Sequence, residues 1–130
     1  MLVVDDDEAI SKLLGMIVKR AVPSCTVAVA RGGEEALERI REQAPGLMLL
    51  DLHMPKMSGV ELCMYLRGAP HLAERCTIVP VSAGAQEPDI QLLHQLGITQ
   101  FVSKGARLSE RLTPILNEAY EKHVEAAKTR

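Results

Sequence analysis

The segment LMLLDLHMPKMSG, residues 47–59, joins an apolar run to a carboxylate and then to turn-forming residues. Its first four residues are apolar, which is typical of a strand that is covered on both faces of a parallel sheet. The run ends at Asp51, and Pro55 and Gly59 then favour a loop. A charge at the end of a buried strand predicts that Asp51 lies at the carboxyl edge of the sheet, where ligands bind in such folds.

Similar short apolar runs alternate with amphipathic stretches along the rest of the chain. The predicted strands are residues 2–4, 25–30, 47–50, 77–81 and 99–103. Five helical periods follow them, and the first has apolar residues at i, i+3, i+4 and i+7 spacing. Those residues are Ile10, Leu13, Leu14, Ile17, Val18 and Ala21. The alternation predicts an α/β fold, a doubly wound five-stranded parallel sheet flanked by five helices.

The fifth helical period contains Pro114, and a proline inside a helix removes a backbone hydrogen bond. We expect Thr113 to cap this helix and Pro114 to take its first position, which leaves residues 108–112 as a separate turn or a kinked lead-in. We predict one domain over residues 1–122, followed by a C-terminal tail or the start of a linker at 123–130.

The composition limits the classes of function. Of the 130 residues, 47% are hydrophobic and 25% are charged, which is the balance of one soluble globular domain. A formal net charge of −2 gives no general field for binding nucleic acid or an anionic membrane. No apolar run reaches the roughly 18 residues of a membrane span, and the amino terminus lacks the basic start of a secretory signal. We therefore predict a cytoplasmic protein.

Three cysteines without CxxC spacing predict neither a disulfide framework nor a zinc site.

Polar side chains follow four of the predicted strands, and the carboxyl ends of parallel strands meet at one edge of a sheet. These residues are Asp5, Asp6 and Asp7 after the first strand, Asp51 after the third, Ser82 after the fourth and Lys104 after the fifth. A helix dipole stabilises acids at its start by about 0.3–1 kcal/mol. Two carboxylates about 4 Å apart repel by on the order of 4 kcal/mol at an effective dielectric near 20. The dipole therefore does not explain the cluster, which predicts a hard cation such as Mg²⁺.

A hard cation beside a carboxylate, a lysine and a serine suits phosphoryl transfer, which depends mainly on positioning and charge neutralisation. Asp51 would then be the nucleophile and would form an acyl phosphate. Taken singly, Lys104 and Ser82 also have ordinary interpretations, as a solvated loop cation and a strand-end hydroxyl. If His53 contacts the metal, we expect its backbone carbonyl to do so. The phosphate-loop, GxGxxG and GxSxG motifs are missing from the sequence, and a nucleotide-binding enzyme is disfavoured.

With these residues assembled, the chain resembles the receiver domain of two-component response regulators, in the CheY-like superfamily. Four motifs in the family's order carry the resemblance: LVVDDDE at 2–8, LLDLHMPKMSG at 49–59, VPVSAGA at 79–85 and FVSKGA at 101–106. The resemblance implies a flavodoxin-like sheet with strand order 2-1-3-4-5.

The resemblance also implies roles for residues at the acidic edge. Asp51 would be the phosphoacceptor and a Mg²⁺ ligand. Asp6 would bind Mg²⁺ directly, and Asp5 would help through water. The backbone carbonyl of His53 would complete the protein ligands. Such a domain catalyses only its own phosphorylation and dephosphorylation, and it is not classed as an enzyme.

Further implied roles concern switching and partners. Lys104 would pair with the phosphoryl group, Ser82 would turn toward it, and Phe101 would change rotamer in the active state.

The implied partners are a sensor histidine kinase or phosphotransfer protein and a downstream output domain or protein. The output surface would be the fourth helix, fifth strand and fifth helix, which also allows a homodimer. We expect no direct binding of nucleic acid and no membrane contact.

The chain departs from the family pattern in three places. Gly105 follows the lysine where the family usually has a proline, and Ser58 stands where aspartate is frequent. Only Met1 precedes the first strand, which predicts a start that is trimmed relative to the family.

Two other functions stay open from the sequence. One is a receiver-like interaction module that binds a partner without phosphorylation, and Gly105 leaves room for it. The other is an aspartate-nucleophile phosphatase of the haloacid dehalogenase type. Those enzymes have a second aspartate two residues after the nucleophile, where this chain has His53, and they enclose the substrate with a cap domain that this sequence does not provide.

Overall fold

The computed structural model describes residues 1–72, 76–84 and 86–128. Within them the chain forms five strands, five α-helices and one short 3-10 turn at Pro70–Leu72. The strands are β1 (Leu2–Val4), β2 (Ala28–Ala30), β3 (Leu47–Leu50), β4 (Thr77–Ser82) and β5 (Val102–Ser103). The helices are α1 (Glu8–Ala21), α2 (Gly33–Glu42), α3 (Gly59–Gly68), α4 (Glu87–Gln95) and α5 (Leu108–Lys128).

All strand pairs are parallel, and the sheet has the order β2-β1-β3-β4-β5. The predicted fold class and strand order are confirmed. In the centre of the sheet, Val4 of β1 lies beside Leu50 of β3. Asp5 and Asp51 are the next residues of these two strands, so the register brings both acids to the same edge.

The two edge strands are shorter than predicted. β2 begins at Ala28 because its partner β1 begins at Leu2, so residues 25–27 have no ladder to join. β5 begins at Val102 rather than at residue 99. β4 is one residue longer than predicted, because Ser82 pairs with β5.

Two apolar clusters fill the spaces on either side of the sheet, because successive strand residues point to opposite faces. One cluster joins the sheet to α2, α3 and α4 and includes Leu2, Val4, Met48, Leu50, Leu62 and Leu93. The other joins it to α1 and α5 and includes Val3, Leu47, Leu49, Leu14, Val18 and Leu112. Both faces are covered, so the strands are apolar throughout and polar chemistry is confined to their ends.

Helix α1 buries a narrower stripe than its spacing predicts. Leu14, Ile17 and Val18 are buried. Leu13 was predicted on the same face, but it is 43% exposed. It lies about 100° around the helix from Leu14, which places it beyond the sheet contact.

The prediction for the start of the last helix was wrong. α5 begins at Leu108 and continues through Pro114 as a single helix. Leu108 and Leu116, on either side of the proline, are buried in the same cluster, and this shared packing outweighs the lost hydrogen bond. Thr113 does not cap the helix, because its hydroxyl donates to the carbonyl of Ser109 at 2.7 Å.

Helix α5 continues to Lys128, into the segment predicted as a tail or linker. Residues 129–130 of that segment lie outside the described residues, and the domain boundary at residue 122 stays a prediction. No helix in the described ranges is long and apolar enough to cross a membrane.

Candidate functional site

Three aspartates from the two central strands meet at the carboxyl edge of the sheet. Asp5 and Asp6 follow β1 and Asp51 follows β3, and each offers a carboxylate oxygen within 4.8 Å of the others. Asp5 is 0% exposed and Asp51 is 5% exposed, whereas Asp6 is exposed. The N–H of Asp51 donates to the carbonyl of Val4 at 2.9 Å, which continues the sheet pairing into the site.

Asp7, the last of the three consecutive acids, has a different role. Its carboxylate accepts a hydrogen bond from the N–H of Ile10 at 3.1 Å and caps α1. Its own N–H donates to Oδ1 of Asp5 at 2.9 Å. The three acids are therefore not equivalent: one is buried in the site, one is exposed beside it, and one begins the helix.

Lys104 brings a positive charge to the acidic cluster from the end of β5. Its backbone N–H donates to the carbonyl of Ser82 at 3.1 Å. Its Nζ lies 2.8 Å from Oδ2 of Asp5 and 3.5 Å from Oδ1 of Asp51. The side chain of Lys104 is only 15% exposed, so these ion pairs are largely shielded from solvent.

Three donors surround Oδ1 of Asp51. They are the hydroxyl of Ser82 at 3.3 Å, the backbone N–H of His53 at 3.4 Å and the ammonium of Lys104 at 3.5 Å. The structure therefore brings together the aspartates, the serine and the lysine that the sequence predicted for one edge.

His53 and Phe101 lie at the margins of this network. The imidazole of His53 contacts the carbonyl oxygen of Gly84 at 3.0 Å, across the opening between the loops that follow β3 and β4. Phe101 is half-buried against the apolar cluster beneath α2, α3 and α4. The metal contact of the His53 carbonyl and the rotamer change of Phe101 stay predictions.

The charges of the site affect one another. Burial raises the pKa of Asp51, the Asp5 carboxylate raises it further, and Lys104 partly offsets both effects. Burial alone would lower the pKa of Lys104, but its hydrogen bond and ion pair with Asp5 and its pairing with Asp51 outweigh burial, so this pKa is raised. Lys104 is therefore charged at neutral pH, while the ionised form of Asp51 is less favoured than in water.

The donor set fits a divalent cation. Three clustered carboxylates face one ammonium, which leaves negative charge uncompensated. Oδ2 of Asp5 is buried, and within the described part of the chain it has no partner except the Lys104 ion pair. Clustered carboxylate oxygens are the ligands that a hard ion such as Mg²⁺ prefers.

The loop after β3 returns very close to Asp51. The N–H of Gly59 donates to the carbonyl of Leu52 at 3.0 Å. A Cβ at position 59 would overlap the backbone oxygen of Asp51 and would lie 2.9 Å from Cα of Leu52. Ser58 caps α3 by accepting a hydrogen bond from the N–H of Glu61 at 3.2 Å. The sequence suggested only a loop glycine here, because the close approach depends on tertiary packing.

The loop after β5 departs from the family pattern in its backbone as well as in its sequence. Gly105 has φ 141°, in a region that favours glycine and that the fixed φ of proline, near about −65°, does not reach. The guanidinium of Arg111 donates to the carbonyl of Ala106 at 3.3 and 3.0 Å and to Oγ of Ser103 at 3.3 Å. Sequence reasoning missed Arg111, because an exposed arginine in a helix carries no motif signal.

The strand order and the acidic edge define a CheY-like domain of the flavodoxin fold. The chain belongs to the response regulator receiver domain family, whose model matches residues 1–116. The resemblance inferred from the four motifs is thereby confirmed.

Two relatives and one solved structure illustrate the membership. The chain is 35% identical over 104 residues to the alkaline phosphatase synthesis transcriptional regulatory protein PhoP of Bacillus subtilis, covering 80% of this chain and 41% of PhoP. It is 34% identical over 107 residues to the DNA-binding response regulator MtrA of Mycolicibacterium smegmatis, covering 80% of this chain and 43% of MtrA. A CheY-like receiver domain protein from Methanospirillum hungatei is 25% identical, with a TM-score of 0.79 over 95% of each chain. The chain therefore spans less than half the length of PhoP and MtrA.

Proposed function

We propose that this receiver domain accepts a phosphoryl group on Asp51, with Mg²⁺ as the cation. The observation that carries the proposal is the placement of donors around Asp51. Within the described residues, every hydrogen bond and ion pair to its carboxylate falls on Oδ1. Because these donors occupy Oδ1, we infer that Oδ2 is the oxygen that attacks a phosphorus atom.

In the proposed reaction, a carboxylate oxygen of Asp51 attacks the phosphorus of a phosphohistidine or of a small acyl phosphate. A new O–P bond forms while the bond from phosphorus to the donor breaks, and the donor keeps that electron pair. The product is an aspartyl phosphate. Lys104 and the hydroxyl of Ser82, which both contact Asp51, would pair with oxygens of the transferred group.

The cation would neutralise the charge of the group being transferred. Asp6 would bind it directly, Asp5 through water, and Asp51 and the backbone carbonyl of His53 would complete the protein ligands. The uncompensated negative charge of the cluster supports this assignment.

The proposed donor is a sensor histidine kinase or a phosphotransfer protein in the cytoplasm. PhoP and MtrA are named as transcriptional and DNA-binding regulators, and this chain matches less than half of each. We therefore propose that the domain, within residues 1–122, controls an output domain or protein and does not itself bind nucleic acid. Phosphorylation would bias a two-state equilibrium in which Ser82 and Phe101 move. The output surface would consist of α4, β5 and α5. The same surface would also allow a homodimer.

Mass spectrometry after incubation with acetyl phosphate and Mg²⁺ tests the proposal. We expect one added phosphoryl group on the wild-type protein and none on Asp51→Asn. Glu42→Gln, which changes an exposed acid at the last residue of α2, should accept the group normally. EDTA should suppress the wild-type adduct. Absence of an adduct with several phosphodonors, or an adduct retained by Asp51→Asn, would contradict the proposal.

A receiver-like module that works without phosphorylation is the second candidate, and Gly105 is the observation that favours it. Titration with Mg²⁺ monitored by amide NMR separates the two functions. A phosphoacceptor should show saturable shifts at Asp5, Asp6 and Asp51, and a module without the switch should show none. The phosphatase gains no support, because the residue two positions after Asp51 is His53 and not a second aspartate. Repeated turnover of an aryl phosphate would revive it.

A further inference from the structure

The loop that carries Lys104, residues 103–107, is weakly fixed by its own backbone. β5 contains two residues, and among the described residues the hydrogen bond from the Lys104 N–H to the Ser82 carbonyl is the last backbone contact of this segment to β4. Gly105 has φ 141°, and no atom of the described residues lies within 4 Å of the position a Cβ would occupy. Glycine has the greatest backbone freedom of any residue. The backbone alone therefore leaves the direction of the Lys104 side chain loosely determined.

The side chain of Arg111 spans this loop from the first turn of α5. The backbone N–H of Arg111 donates to the carbonyl of Arg107 at 3.0 Å, so its own position is fixed by the helix. Its guanidinium holds Ser103 on one side of Lys104 and Ala106 on the other. A planar guanidinium presents its donors in a rigid fork, so one side chain can fix both acceptors in a single geometry.

We propose that Arg111 is a positioning residue that keeps the ammonium of Lys104 between Asp5 and Asp51. Arg111 touches neither carboxylate in the described contacts and acts by closing the loop on both sides of Lys104. This role rests on the proposed function of Asp51 as phosphoacceptor. Arg111 would also restrain a loop in which Gly105, the residue after the lysine, adds backbone freedom.

The rate of phosphoryl acceptance from acetyl phosphate in the presence of Mg²⁺ tests the role. Arg111→Ala should be about fivefold slower, the effect expected for losing a small set of exposed, charge-assisted hydrogen bonds. Arg111→Lys keeps the charge but lacks the fork, so it should be nearly as slow. Arg20→Ala removes an exposed arginine from the last turn of α1 and should leave the rate unchanged. A wild-type rate in Arg111→Ala would overturn the proposal.

A double-mutant cycle with Lys104→Met distinguishes positioning from direct attraction of the anionic donor. If Arg111 acts through Lys104, Arg111→Ala should cause no further loss in the Lys104→Met background. The same fivefold loss in that background would show that Arg111 acts on the phosphodonor itself, and this would refute the positioning role.

Backbone ¹⁵N relaxation without any phosphodonor gives a readout that does not depend on the reaction. Order parameters of the amides in residues 103–107 should fall in Arg111→Ala and stay at wild-type values in Arg20→Ala. Unchanged order parameters would overturn the proposal even if Asp51 accepts the phosphoryl group. If no variant is phosphorylated, the proposed function fails, while the relaxation measurement still decides whether Arg111 holds the loop.

Discussion

Asp51 and Lys104 face each other across the site, but the fold holds them in different ways. Asp51 follows β3, a strand of four buried residues that pairs with β1 on one side and β4 on the other. Lys104 follows β5, an edge strand of two residues whose one partner among the described strands is β4. The core fixes the aspartate, and side-chain contacts to Arg111, Asp5 and Asp51 hold the lysine and its loop.

This difference matches the proposed roles of the two residues. A nucleophile must be presented in one geometry, and a buried central strand provides that. A charge partner that moves to a new phosphoryl group must leave its resting contacts, and segments with few buried contacts open at the lowest free-energy cost. Substitutions that disturb the backbone after β3 should therefore change stability strongly, and substitutions that disturb the backbone after β5 should change it weakly.

The largest effect is expected at the start of α3. Gly59→Ala should lower the free energy of unfolding by about 3 kcal/mol, because the added Cβ overlaps the backbone of Asp51 and neither strand nor helix can move away. Urea unfolding followed by circular dichroism measures this change. Gly68→Ala, at the other end of α3, is the matched control, because no atom of the described residues lies within 4 Å of the added Cβ; it should be neutral or slightly stabilising. Equal effects of the two substitutions would show that the close approach at Gly59 does not constrain the fold.

Loss of the lysine should have the next largest effect. In EDTA at pH 7, Lys104→Met should lower the free energy of unfolding by about 2 kcal/mol, because it leaves the buried carboxylate of Asp5 without its ion pair. Lys12→Met, which removes an exposed ion pair with Glu8, should change stability little.

The pH dependence gives the sign of the Lys104 contribution. The pKa of Lys104 is raised in the folded protein above the usual 10.5. The stabilising contribution of the charged ammonium is therefore complete below that pH and is lost as the pH rises through the folded-state pKa. The difference between wild type and Lys104→Met should therefore be constant from pH 7 to about 9 and shrink at higher pH. A difference that grows with pH would contradict the assigned ion pair.

Removing the charge of Asp51 should have a smaller effect of opposite sign. The pKa of the Asp51 carboxyl is raised by burial and by Asp5. The stabilising contribution of its protonated form is therefore complete below the unfolded-state pKa and is lost as the pH rises through the raised pKa. Without divalent cations, Asp51→Asn should therefore raise the free energy of unfolding at pH 7 by about 1 kcal/mol. Thermal unfolding of both proteins should converge near pH 3. A variant that is less stable than wild type at pH 7 would contradict this account.

Much of the fold and most of the site were predictable from short-range patterns. The continuous apolar residues of β3 and the charge that follows them predicted the sheet edge, and Lys104 and Ser82 were predicted at the neighbouring strand ends. Strand ends converge in any parallel sheet, so the sequence positions of these residues were sufficient.

The features that sequence reasoning missed depend on contacts between distant segments. β2 is shorter than its apolar run because its partner β1 begins at Leu2, and β5 pairs with the last two residues of β4. Pro114 lies inside α5 because the leucines on both sides share one core cluster, which overrides the local preference for a helix start. The hydrogen bonds of Arg111 and the steric requirement at Gly59 depend on how the loops pack in the folded protein, so the sequence alone did not predict them.

The smallest effect on stability is expected at Gly105. This substitution tests the contrast between Asp51 and Lys104 most directly. Its φ of 141° is unfavourable for alanine, but the loop is exposed and can relax, so Gly105→Ala should cost less than about 1 kcal/mol in urea unfolding. Gly15→Ala, in the middle of α1, should instead be slightly stabilising, because alanine favours helix. Phosphoryl acceptance should nevertheless slow in Gly105→Ala, because a relaxed loop moves Ala106 away from the Arg111 guanidinium and redirects Lys104. If the rate stays at the wild-type value while stability falls, the geometry of the loop would matter for folding alone, and Lys104 would find its partners without it.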